Sequence, residues 1–140
     1  MKKIYVAAAT YTGLGLLSGL FYREYTKAAD FTGYSQLNTL HTHFFALGTL
    51  MFLVVLGLAA IFNLDRIKGF NAFFWTYNAG LVVTTLLMLI HGIIQVGGNN
   101  NEIPAIAGIA GLGHILLTIG LVMLLVVLGK GVKEFESKRQ

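Results

Sequence analysis

The sequence predicts an all-α protein, a bundle of four transmembrane helices with both termini on the cytoplasmic side. Three observations lead to that reading. Apolar residues make up 56% of the chain and charged residues only 11%, where an ordinary soluble domain is about a quarter charged. Mean hydropathy is +0.72. The apolar residues also fall into four runs, each meeting the roughly 20 residues that cross a bilayer. A length of 140 residues suits one membrane domain, 1–140, with no second unit.

The first span is expected over about residues 4–22. Lys2 and Lys3 before an apolar stretch resemble the start of a signal peptide, but no convincing cleavage site follows, so the segment reads as a retained helix. Gly15 and Gly19 within it form a GxxxG pattern suited to close helix contact. The second span is expected over 36–62 and the third over 70–96. Phe70, Phe73, Phe74, Trp75 and Tyr77 open the third span as an expected interfacial aromatic belt. Gly97, Gly98 and Asn99–Asn101 mark a tight turn. The fourth span, 104–129, begins at Pro104, which suits a first helical turn because its missing N–H has no helical partner there. The charged tail 130–140 is expected to carry the last helix into water.

Orientation follows from basic residues in the short flanks. Lys2, Lys3, Arg66, Lys68, Lys130, Lys133, Lys138 and Arg139 fall on one side, and only Arg23 and Lys27 on the other. That asymmetry predicts both termini in the cytoplasm of a multi-pass protein of the bacterial cell membrane. It also accounts for the net charge of +4 without nucleic acid as a partner. The expected partner is the lipid bilayer. The absence of cysteine excludes disulfides, thiolate-held clusters and covalent c-type haem.

The four histidines, His41, His43, His91 and His114, all lie inside expected spans. At 1.5 Å rise per residue, His41 and His43 come out about 8–11 Å below the outer boundary, His91 about 9 Å and His114 about 15 Å. Three helices therefore bring imidazoles towards one layer. Ionisable groups in hydrocarbon usually face a partner, a cavity or the bundle interior. One reading makes these four polar contacts between helices. The other makes them ligands. The spans hold no Asp or Glu, which argues against proton relays and hard-cation sites. Neutral imidazole suits zinc, copper and iron, and haem iron takes axial histidine.

His41 and His43 are two residues apart, a rotation of about 200° on a helix, so they leave from nearly opposite faces and serve two sites rather than one iron. Gly48, Gly92, Gly108, Gly111 and Gly113 lie near the histidines, where a flat macrocycle would need room, although such residues equally mark helix contacts. Phe44 and Phe45 are candidate pocket walls. Gln95 is a candidate hydrogen-bond partner of His91 or of a haem propionate, and Arg23 and Lys27 are candidate propionate partners.

The segment Leu40-His41-Thr42-His43-Phe44-Phe45-Ala46-Leu47-Gly48 resembles the second helix of small bacterial four-span proteins of unknown function, the DUF2871 type. Span count, length and the histidines of the third and fourth helices extend that resemblance over essentially the whole chain. The HxH also resembles that of subunit I of the haem–copper oxidases and nitric oxide reductases. That subunit has twelve helices in three arcs of four, and an HxH helix that holds a haem on each side. By this resemblance the chain is one arc of an oxidase-like homotrimer, with haem b iron on His41 and on His43. The oxidases' adjacent His-His pair for copper has no counterpart here, which speaks against oxygen reduction.

The sequence thus points to a haem-binding b-type membrane cytochrome, in electron transfer or gas handling. Two alternatives stand beside it. One is a copper or zinc centre on His91 and His114 near a haem. The other is a cofactor-free transporter or assembly subunit whose histidines are interhelical polar contacts.

Overall fold

The computed structural model describes residues 1–98 and 104–139 and contains four long helices, with no strand among the described residues. They are α1 (Lys2–Ala28), α2 (Leu37–Phe62), α3 (Phe70–Val96) and α4 (Pro104–Ser137). All four are long and apolar enough to cross a membrane. The third span and the start of the fourth match expectation, and the charged tail continues α4 to Ser137. Helix α1 runs past Tyr22 to Ala28, because Arg23–Lys27 lower the hydropathy without breaking the helix. Gly97 and Gly98 close α3, with Gly98 at φ +88°. The Asn99–Asn101 part of the expected turn lies outside the described residues.

Small residues set how closely the helices approach. A Cβ placed on Gly15 would lie 2.9 Å from the Phe45 ring, and one on Gly48 2.5 Å from Tyr11 Cβ. These contacts, with Gly19 facing His41, pack α1 antiparallel on α2. The Gly15/Gly19 pattern therefore does what its spacing suggests, within one chain. Along the α3–α4 seam, Gly80 faces the backbone of Gly113 and Leu117, Gly113 faces Thr84, and Gly120 faces Tyr77.

The core joins α1, α2 and α3 through aromatic rings. Phe52 stacks on Tyr11 at 5.8 Å and meets Tyr77 edge-on at 5.8 Å. The expected aromatic belt needs correction here. Phe70, Phe73, Phe74 and Tyr77 are all buried, and only Trp75 is exposed. Their spacing of i, i+3, i+4 and i+7 places them on one helix face, and that face turns inward. Leu16, Leu17, Leu53, Leu86, Leu112 and Leu125 are instead exposed, forming an apolar exterior.

One end of the bundle collects most of the positive charge. The Met1 ammonium bonds Asp65 at 2.9 Å, Gly131 of α4 packs on Leu64, and Phe62 meets Phe135 edge-on. Met1, the α2–α3 turn and the end of α4 thus share that end, and with them the eight basic residues named above.

Candidate functional site

The histidine pair sits near the start of α2, which is pinned to the end of α3 by three contacts. Ser35 Oγ donates to the Gly92 carbonyl at 2.9 Å and accepts from Leu37 N–H at 3.2 Å. Gln36 N–H donates to Gln95 Oε1 at 2.8 Å. Leu37 packs directly on Gly92. Gln95 therefore spends its amide oxygen in holding α2, a role its position beside His91 did not reveal.

His41 lies against Gly19 of α1, and its Nδ1 is buried with no hydrogen-bond partner among the described residues. Leaving such a group unmet costs about 1–3 kcal/mol. His43 is half-buried and its Nδ1 is 2.9 Å from the Thr39 carbonyl one turn earlier. A carbonyl only accepts, so Nδ1 is the donor of this bond and Nε2 takes no part in it. His114 repeats the arrangement on α4, with Nδ1 2.9 Å from the Ala110 carbonyl and the side chain exposed. His91 is half-buried in the last turns of α3.

Register relates their depths. Thr84 faces Gly113, so His114 is level with about Val83 of α3. Leu37 meets Gly92 and Tyr77 bonds the Leu47 carbonyl, so His41 and His43 fall level with about residues 83–86 of α3. His41, His43 and His114 thus share a layer about 5 Å deep, and His91 lies about 12 Å beyond His114 along α3. The four do not converge on one point. Among the described residues, no three of His, Cys, Asp and Glu come together to hold a metal ion.

Directly after His43 the helix widens into a π-turn over Phe44–Leu50. Such wide turns shift side-chain directions and recur at functional sites. Tyr77 donates from its hydroxyl to the Leu47 carbonyl at 2.9 Å, and Thr12 and Thr49 hydroxyls meet at 3.1 Å. Both bonds hold polar groups of the widened segment.

The glycines near the histidines need a second correction. Gly48, Gly92 and Gly113 are filled by Tyr11, Leu37 and Thr84, so they admit neighbouring helices and leave no room for a macrocycle. Gly108 and Gly111 have open space beside them. Phe45 packs on Gly15, while Phe44 stacks on Tyr11 at 6.2 Å and also floors a cleft. Arg23 is exposed and lies 3.6 Å from Glu24.

Two apolar clefts run between α1 and α3. The one beside the HxH turn has about 440 Å³ and is lined by Ser18, Leu40, Phe44, Thr85 and Leu89 among others, with no histidine in its wall. The second, about 650 Å³, opens at Lys2 and Lys3. Tyr11 and Asn78, hydrogen-bonded at 2.7 Å, bridge α1 and α3 within it.

Fold and site together define a small four-span membrane bundle whose second helix carries an HxH pair before a π-turn. The chain belongs to the family described as Protein of unknown function (DUF2871), whose model matches residues 1–131. No curated protein and no solved structure matches it.

Proposed function

We propose that the protein is a b-type membrane cytochrome that binds haem b through the HxH pair, His43 first and His41 second, and works as a homotrimer with both termini in the cytoplasm. The observation that carries this reading is the His43 imidazole. Its Nδ1–H is held by a backbone carbonyl, the arrangement that orients metal-bound histidines and leaves Nε2 free to bind iron. The buried Nδ1 of His41, without a hydrogen-bond partner among the described residues, is compatible with it, since ligation would fall to the other ring nitrogen.

The donor set suits haem, with imidazoles, no competing thiolate and apolar surroundings. The cleft beside the pair has no histidine in its wall, so the slot is proposed to be completed by a second copy. His114, exposed on α4 at the same depth with its Nε2 free, is a candidate to come from that copy. A bound haem would supply one-electron chemistry, for transfer or for gas handling. The chain's own part is to fix the imidazole tautomer and keep water out.

A second reading has an observation in its favour. His43 and His114 each bond a carbonyl of their own helix, as polar side chains do in a cofactor-free bundle. The two readings part on haem content. His43→Ala should lose at least half of the haem that co-purifies with the wild type, and His41→Ala with His43→Ala nearly all of it. Full haem retention in the double variant would overturn the assignment.

A further inference from the structure

The cleft at the basic end of the bundle has a shape and a charge that the haem reading does not use. It lies between α1 and α3, with Lys2, Lys3 and Trp75 at its mouth and Val6, Leu14 and Val82 along its walls. From Lys2 to Leu14 it follows α1 for about 18 Å, close to the depth of one leaflet, about half of a 30 Å hydrocarbon core. None of its lining residues is acidic.

The lysines are held but not neutralised. Lys3 Nζ lies 5.1 and 4.9 Å from the Phe70 and Phe74 ring centres and donates to Asn71 Oδ1. An ammonium has three donors, so two remain for another acceptor. Lys2 is exposed. Asp65 at this end is paired with the Met1 ammonium.

We propose that this cleft binds an anionic glycerophospholipid of the leaflet on the basic side, with its phosphate at Lys2 and Lys3 and one acyl chain along Val6, Leu14 and Val82. A second copy of the chain fits less well. Its matching end carries the same excess of Lys and Arg, which would meet Lys2 and Lys3 with like charge. A zwitterionic lipid would fill the apolar walls and offer the same phosphate, but its headgroup cation would meet Lys2 and Lys3 with like charge. The proposal is independent of haem.

Trp75 is the only tryptophan, so its fluorescence reports this cleft. The full-length protein is reconstituted into vesicles in which part of the lipid carries brominated acyl chains, on either phosphatidylglycerol or phosphatidylcholine. The expected result is half-maximal quenching at a roughly fivefold lower mole fraction of the anionic lipid, the effect of about one lysine charge at a membrane surface. In Lys2→Gln/Lys3→Gln that preference should vanish while quenching by phosphatidylcholine persists, which also shows that the variant is folded. Lys133→Gln/Lys138→Gln, at the same end but outside the cleft, should keep it. Equal quenching by the two lipids in the wild type would overturn the proposal, as would a preference surviving Lys2→Gln/Lys3→Gln. Absence of quenching by either lipid would mean that another chain covers the cleft, and would overturn it too.

Discussion

Replacing Gly80 by alanine tests whether α3 and α4 are held by backbone contact. The added Cβ would lie 2.7 Å from Leu117 N, 2.9 Å from the Gly113 carbonyl oxygen and 3.0 Å from Leu116 Cβ. Two of those atoms are backbone, so no rotamer change relieves the overlap. Ordinary contact at 3.5–4.0 Å requires the helices to part by about 1 Å. That movement also loosens Gly113 on Thr84 and Gly120 on Tyr77 along the same seam. Overpacking of this kind costs about 1–3 kcal/mol, partly masked by the helix preference of alanine over glycine, about 1 kcal/mol. Gly57→Ala cancels that offset, because Gly57 lies within α2 and has nothing within 4 Å of a built Cβ. In thermal unfolding in mild detergent, Gly80→Ala should melt roughly 3–9 °C below Gly57→Ala. Equal melting temperatures would refute the glycine seam.

Two further perturbations address the π-turn and the basic end. Tyr77→Phe removes the donor to the Leu47 carbonyl and should cost about 1 kcal/mol, read against Tyr5→Phe at an exposed site; identical melting of the two would deny that bond a role. The Asp65 carboxyl is held below its ordinary value of 3.8, chiefly by the hydrogen bond from the Met1 ammonium. A lowered folded-state value means that its stabilisation is full above the ordinary value and is lost as pH falls through the lowered one. The pair is at the surface and is worth about 0–1 kcal/mol, so Asp65→Asn should flatten stability between about pH 6 and about pH 3, across the carboxylate range, by that amount. An unchanged acid slope in the variant would rule the pair out as its source.

The spans were legible because hydropathy and length suffice for them, and Pro104 marked the start of α4. The polar run Arg23–Lys27 hid the end of α1, since hydropathy reports lipid contact while the helix continues without it. The aromatic residues opening α3 were placed at the interface by composition, although their spacing already marked one inward face. The π-turn after His43 left no comparable mark. It depends on partners distant in sequence, the Tyr77 hydroxyl and the Tyr11 ring that meets Gly48. Rise per residue set His91 level with His41 and His43, whereas the helix register brings His114 to their level and leaves His91 beyond it; side-chain direction could not be read at all. Only packing places His41 on Gly19 and leaves His114 exposed. Gln95 escaped because its partner, Gln36 N–H, belongs to a turn whose approach to α3 is a tertiary fact.

The most direct test of the central claim is an optical spectrum of the protein purified in mild detergent without added haem, recorded oxidised and then reduced with dithionite. The account predicts a Soret band that shifts on reduction, with α and β bands of low-spin haem ligated by two imidazoles. A folded protein from haem-sufficient cells with a flat visible spectrum would contradict it, and would leave His41, His43, His91 and His114 as polar contacts of a colourless bundle.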